Sequence, residues 1–194
     1  MVTANLEYGL ALDMDEFWVF GYGSLMWNPG FPHEETQPAR AFGYRRSLCI
    51  RSYVHRGTPE NPGLVLGLDR GGSCRGMAFR VGLEDRGEVL EYLRKRELVT
   101  NVYKERMLAV MLGDGRYVKA VGYVVDRSHV QYAGALGIEE AAEIVRRSSG
   151  QSGPNDAYLF NTLAHLREMG IRDLWLEGVG AGVEASARGV QAAF

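Results

Sequence analysis

A glutamate at the end of a predicted helix is the residue best suited to proton transfer. The pattern over residues 84–98 predicts this helix, with Val89, Leu90 and Leu93 on its buried face. At about 100° per residue, Glu97 lies roughly 20° from Leu90 and about 40° from Leu93. A carboxylate among apolar neighbours usually has an ion-pair partner or a functional role, because its transfer out of water is unfavourable by several kcal/mol. Desolvation would also raise its pKa towards neutral pH, where a general base works best.

The same helix allows a second interpretation. If it ends at Arg96, the side chain of Glu97 turns to solvent or pairs with Arg94 or Arg46. The helical pattern alone leaves both interpretations open.

A glycine-bearing turn follows the first strand pattern. Gly21 and Gly23 let the backbone approach a ligand, and consecutive free N–H groups in such a turn suit a carboxylate. The turn lacks the third glycine of a dinucleotide fingerprint. Nor do glycines stand two residues before and two after Ser24, as a nucleophile elbow requires. By itself the turn is better explained as a strand end that binds nothing.

A polar loop over residues 150–155 leads into another predicted helix. Asn155 could cap this helix, and the free N–H groups of the first turn could hold an anion. Tyr158, one turn further, could be a core aromatic or a hydroxyl of a site. A plain helix cap explains the loop equally well.

The strand patterns fall in the first two thirds of the chain. Aromatic and β-branched runs bounded by Gly, Pro and Asn predict strands at residues 17–23, 39–51, 64–69, 74–81, 103–112 and 116–126. Gly71-Gly72 is predicted to join the third and fourth of these strands. Gly113-Asp-Gly joins the last two in the clearest hairpin signal. The middle of the chain is therefore predicted to be a largely antiparallel sheet.

Helical patterns follow the sheet at residues 138–148 and 155–169, each with apolar residues at helical spacing. The glycine-rich segment 178–182 is predicted to be a loop or a frayed tail. Strands followed by helices indicate an α+β fold, with a mostly antiparallel sheet curled into a small barrel and helices at its flanks.

Length and composition exclude several classes of protein. The 194 residues suit one domain, predicted over 17–194, and residues 1–16 show no period and are predicted to be a loosely ordered leader. The chain has 22 Lys and Arg against 24 Asp and Glu, a net charge of -2, which argues against nucleic acid or membrane as partner. It shows neither a signal peptide nor an apolar run of membrane length, so we expect a cytoplasmic location.

The potential metal ligands are few and scattered. Cys49 and Cys74 lack the paired spacing of a zinc or redox motif and are predicted to be free core thiols. The four histidines include no pair at helical spacing. We therefore expect no metal.

Several blocks, taken in order, resemble the ChaC-like family of γ-glutamylcyclotransferases over roughly residues 18–166. The opening block is the most specific and reads Trp18-Val-Phe-Gly-Tyr-Gly-Ser-Leu-Met-Trp-Asn-Pro-Gly-Phe. The later blocks are Arg45-Arg46, His55-Arg-Gly-Thr-Pro with Pro62-Gly63, Gly76-Met-Ala-Phe-Arg-Val, Tyr92-Leu-Arg-Lys-Arg-Glu97, Gly153-Pro-Asn and Tyr158-Leu159.

The resemblance implies a γ-glutamylcyclotransferase-like fold and names a site. The family's catalytic glutamate falls on Glu97, and a second family carboxylate falls on Glu88, which the helical wheel places on the opposite face. We expect the substrate-binding residues to be Val19, Phe20, Gly21, Tyr22, Gly23, Ser24, Leu25, Glu88, Tyr103, Asn155 and Tyr158. One departure is Asn101-Val102 before Tyr103, where many relatives have two glycines, and we expect it to reshape the pocket wall beside Glu97.

The activity implied is cleavage of glutathione to 5-oxoproline and Cys-Gly by a monomeric enzyme without cofactor. The α-amine of the γ-glutamyl group attacks its own γ-carbonyl, and Glu97 transfers the proton. The same fold could instead act on γ-glutamyl amines or amino acids. A binding module for a small carboxylate is a third alternative. An unpaired buried base argues against it, because binding alone does not require such a group.

Overall fold

A closed barrel of five strands forms the centre of the molecule. The computed structural model describes residues 16–98 and 101–191. The strands are β1 (Phe17–Gly21), β2 (Glu35–Ser52), β3 (Gly63–Val81), β4 (Tyr103–Leu112) and β5 (Tyr117–Val125). They run β1-β3-β2-β4-β5 around the barrel, and only the closing β5–β1 pair is parallel. The predicted α+β fold with a mostly antiparallel barrel is confirmed.

The prediction of two strands joined by Gly71-Gly72 was wrong, because β3 runs unbroken through both glycines. Their φ angles are +105° and +70°, a left-handed conformation that glycine adopts without strain. The partner strand bends at the same level, where the register shifts between Phe42 and Tyr44 around Gly43. β2 and β3 therefore bend together at this level of the barrel, and the hydrogen bonds between them continue on both sides of the bend.

In the described part of the chain, four α-helices surround the barrel: α1 (Arg86–Glu97), α2 (Ile138–Arg147), α3 (Asn155–Glu168) and α4 (Leu174–Gln191). Val89 and Leu93 of α1 pack on the barrel wall around Phe17 and Val19. The other three helices pack on one another and share the main core cluster with the barrel. Two short strands, β6 (Ser149–Gly150) and β7 (Gly153–Pro154), form a separate pair before α3.

The glycine-rich end belongs to α4, so the prediction of a loop or frayed tail was wrong. Asp173 supplies an N-terminal cap, since its carboxylate accepts the N–H of Leu176 at 3.2 Å. Leu176, Val179 and Val183 are buried at helical spacing. A methyl group on Gly182 would lie 2.9 Å from the Cβ of Ala142 in α2. Glycine in this helix therefore lets two helices approach closely.

Further sequence predictions concern the cysteines, the membrane criterion, the metal ligands and the leader. Cys49 and Cys74 are confirmed as free buried thiols, and burial raises the pKa of Cys49 to about 12. Across residues 16–98 and 101–191, no helix is long and apolar enough to cross a membrane. The same part of the chain holds no group of three metal-ligating side chains. The predicted leader lies outside the described residues except for Glu16, so its boundary stays a prediction.

Candidate active site

Among the described residues, one edge of the first half of β3 has no strand partner, because β1 pairs with β3 only at residues 77–81. Backbone groups at such an edge need other hydrogen-bond partners. The amide of Asn155 provides two: it accepts the N–H of Leu64 at 2.7 Å and donates to the carbonyl of Leu64 at 2.8 Å. The predicted cap by Asn155 was therefore wrong, since its fully buried side chain joins α3 to β3.

Two tyrosines bind the backbone of Leu66, which is further along this edge. The Tyr103 hydroxyl donates to the carbonyl of Leu66 at 2.7 Å, and the N–H of Leu66 donates to the Tyr158 hydroxyl at 3.2 Å. Burial raises the pKa of Tyr103 well above its usual range and that of Tyr158 to about 12. Both hydroxyls therefore stay protonated at neutral pH. Because Tyr158 accepts from Leu66, its own O–H remains available to a ligand.

Glu97 is the last residue of α1, so the helix does not end at Arg96. Its side chain is only 18% exposed and lies 3.3 Å from the guanidinium of Arg96. Arg94 and Arg46 are both engaged elsewhere, with Glu105 and Asp173. Burial raises the pKa of the Glu97 carboxyl, and the opposing effect of Arg96 is smaller. The helical-wheel interpretation of an inward-facing carboxyl group is therefore confirmed.

A small cavity of about 60 Å³ brings most of the predicted site residues together. Its lining contains seven of them: Tyr22, Gly23, Ser24, Leu25, Glu97, Tyr103 and Tyr158. The eighth residue is Leu66, which the sequence analysis missed because its backbone groups, not its side chain, bind the two tyrosines.

Five predicted residues lie outside this cavity lining. Val19 and Phe20 are fully buried in the barrel wall, and Gly21 ends β1 just before the cavity. Asn155 is engaged with Leu64. Glu88 is exposed on the first turn of α1, as its place on the helical wheel indicated.

Several residues of the turn after β1 line the cavity. Within the described structure, the N–H groups of Gly23, Ser24 and Leu25 donate to no backbone acceptor. The Ser24 hydroxyl accepts a hydrogen bond from Arg96 at 3.0 Å. A methyl group on Gly76 of β3 would overlap the carbonyl oxygen of Gly21, so only glycine there admits the turn this close. The turn can therefore offer several N–H groups to one carboxylate or oxyanion.

The side chain of Arg46 stabilises the turn after β1. Its guanidinium donates to the carbonyls of Tyr22 and Arg75, both at 2.6 Å, and to the carboxylate of Asp173 at 3.1 Å. The Arg46 side chain is only 2% exposed. Its position in the Arg45-Arg46 motif was noted from sequence, but this positioning role was missed because its partners are distant in the chain.

A larger groove of about 680 Å³ adjoins the cavity. Glu97 and Tyr103 line both spaces, so the carboxyl group stands at their junction. The end of β2 and the segment around Val130 form the other walls. Val102 also lines the groove, which places the departure at Asn101-Val102 beside Glu97 as expected.

Known proteins resemble this chain over most of its length. The ChaC-like protein family matches residues 17–186. The glutathione-specific γ-glutamylcyclotransferase of Escherichia coli K12 is 36% identical over 173 residues, which are 88% of this chain and 75% of that protein. Its counterpart in Schizosaccharomyces pombe is 34% identical over 173 residues, 78% of this chain and 83% of that protein.

The fold has a solved counterpart. A crystal structure of a glutathione-specific γ-glutamylcyclotransferase from yeast superposes with a TM-score of 0.77 at 24% identity, over 88% of this chain and 99% of that one. The family match, the identities of the relatives and the barrel together show that this chain belongs to the ChaC-like family.

Proposed function

We propose that this protein is a γ-glutamylcyclotransferase that cleaves glutathione to 5-oxoproline and Cys-Gly. The relatives named for this activity support the proposal. The structural observation that carries it is a buried carboxyl group of raised pKa, Glu97, in one cavity with tyrosine hydroxyls and free backbone N–H groups. General base, hydroxyl donor and anion-binding amides are the groups that an intramolecular amide cleavage needs.

The reaction forms one bond and breaks one bond. The α-amine nitrogen of the γ-glutamyl group attacks the γ-carbonyl carbon and closes a five-membered ring. The bond from this carbon to the cysteine nitrogen then breaks. Glu97 takes the proton from the attacking amine and gives it to the departing amine, so the carboxylate is regenerated. No nucleophile of the protein is needed, because both reacting groups belong to the substrate and are held in reacting geometry.

The other cavity groups position the substrate. The N–H groups of Gly23, Ser24 and Leu25 bind the α-carboxylate and stabilise the oxyanion that forms at the γ-carbonyl. The free O–H of Tyr158 supports a second hydrogen bond to the γ-glutamyl group, since the Tyr158 oxygen already accepts from Leu66. These roles for the turn and for Tyr158 require no cofactor.

Purified protein is expected to release 5-oxoproline and Cys-Gly from glutathione in equal amounts. The measurement is chromatographic separation of both products during incubation with glutathione. Release from γ-glutamyl amines or γ-glutamyl amino acids alone would retain the reaction and change the substrate. Binding of these compounds without any release of 5-oxoproline would contradict the proposal and favour the binding module.

The pH dependence of kcat/KM is expected to show an acid limb above the usual range of a glutamic acid. Glu97 must be ionised to accept a proton, and burial raises its pKa in the folded protein. Activity should therefore be low below this pKa and increase as the pH rises through it. Initial rates at constant ionic strength test this. An acid limb at or below about pH 4, the range of a solvated glutamic acid, would contradict the assignment of Glu97.

A further inference from the structure

The two spaces that meet at Glu97 differ in size and chemistry. The small cavity carries the backbone N–H groups and the tyrosine hydroxyls, which suit the γ-glutamyl group. The larger groove begins on the other side of Glu97 and Tyr103. A carboxyl group that moves a proton from the attacking to the departing amine lies near both parts of the substrate. The groove is therefore placed to receive the part that leaves.

Two arginines line the groove, Arg51 and Arg96, and Glu97 is the single acidic residue among its described lining. Arg96 is already engaged with Glu97, Ser24 and the backbone near Asn28. His55 contacts the hydroxyl of Ser152 at 3.0 Å. A groove with an excess of positive charge favours an anionic ligand.

Arg51 is the cation of this groove whose charge is not compensated. It lies at the end of β2, where its N–H donates to the carbonyl of Gln131 at 2.8 Å and its carbonyl accepts from the Gln131 side chain at 2.9 Å. Its backbone is therefore fixed, and its side chain is half-buried. Within residues 16–98 and 101–191, no carboxylate forms an ion pair with its guanidinium. A planar guanidinium binds a carboxylate through two parallel hydrogen bonds.

Aliphatic side chains form much of the remaining wall. Val54 and Val130 are 48% and 78% exposed at this groove, and Val65 and Val102 line it as well. Exposed apolar side chains beside a cationic group suit a ligand with a small apolar side chain and an anionic end. The Cys-Gly portion of glutathione has both: a cysteine side chain and a terminal carboxylate.

We propose that the groove binds the leaving Cys-Gly portion of the substrate, and that Arg51 binds its terminal carboxylate. This inference rests on the proposed function and adds the selection of the leaving group to it. Arg51 is a substrate-binding residue and takes no part in proton transfer. γ-Glutamyl amines, which lack this carboxylate, are accordingly poor substrates.

Glutathione and its C-terminal amide, which differ only in the terminal charge, test this assignment. Wild type is expected to show a kcat/KM for glutathione about 10- to 100-fold above that for the amide, the usual effect of one charged hydrogen-bonded contact. In Arg51→Gln, the value for glutathione falls by a similar factor, mainly through KM, and the value for the amide is unchanged. Arg51→Lys restores part of the preference. Arg106→Gln, an exposed arginine of β4 outside both spaces, serves as the matched control.

Each outcome decides a different point. Equal cleavage of both compounds by wild type would overturn the role of the terminal carboxylate. Equal loss for both compounds in Arg51→Gln, with unchanged thermal unfolding, would overturn the assignment to Arg51. If Arg51→Gln does not fold, Arg51→Lys and Arg51→Met are compared instead. The same ratio of kcat/KM for glutathione to kcat/KM for the amide in both variants would overturn the assignment as well. Failure of wild type to release 5-oxoproline from either compound would instead overturn the proposed function, and with it this inference.

Discussion

Glu97→Gln is expected to lower kcat for the release of 5-oxoproline from glutathione by about 10²–10⁴-fold. Glutamine keeps the shape of the side chain, but its amide cannot accept the proton of the attacking amine. KM should change little, because the turn and the tyrosines that bind the γ-glutamyl group are untouched. Steady-state rates of wild type and variant at several glutathione concentrations provide the measurement.

The loss in Glu97→Gln must be separated from a loss of folding. Burial raises the pKa of Glu97, so the stability of the wild type decreases as pH rises through the folded pKa. The neutral amide lacks this effect, and the variant is expected to be at least as stable as wild type at neutral pH. Glu91→Gln is the matched control, since Glu91 is an exposed residue of α1 paired with Lys95. A kcat near that of wild type in Glu97→Gln would remove Glu97 from the mechanism.

Arg46→Met is expected to lower the free energy of unfolding by about 3–5 kcal/mol. The guanidinium is almost completely buried and satisfies two carbonyls and the Asp173 carboxylate. Methionine fills a similar volume but leaves all three acceptors without this donor, and the carboxylate next to it uncompensated. Urea unfolding at neutral pH measures the difference.

Arg45→Met provides the comparison for Arg46→Met. Arg45 is 44% exposed, and its partner Asp69 keeps Arg127 and Tyr132 when Arg45 is removed. The expected loss is therefore at most about 1 kcal/mol. If Arg46→Met unfolds at the same urea concentration as Arg45→Met, the hydrogen bonds of Arg46 are not the main support of the turn.

Most of the barrel strands and the first three helices were predictable because their signals are local. Alternation in β4, the apolar run of β5 and helical spacing in α1 arise from residues within a few positions of one another. The C-terminal helix was missed for a related reason. Its glycines carry a poor helix propensity, and their compensating contact with α2 belongs to another part of the chain.

The bend of β3 was missed in the same way. Gly71-Gly72 resembles a turn locally, and only the matching bend at Gly43 in the partner strand lets the ladder continue. The pairing of two strands over a long stretch decides whether a glycine pair ends a strand or curves it.

The sequence by itself singled out Glu97 and the turn after β1 as candidates for the site, and the structure then decided that Glu97 faces inward. Both candidates follow from periodicity and from glycine in a short segment, and the family resemblance rests on the same segments. Only the tertiary structure decided which groups join Glu97. The short overlap of β1 with β3 leaves Leu66 free to bind Tyr103 and Tyr158 from distant elements. Such contacts depend on strand order and register, which no local pattern specifies.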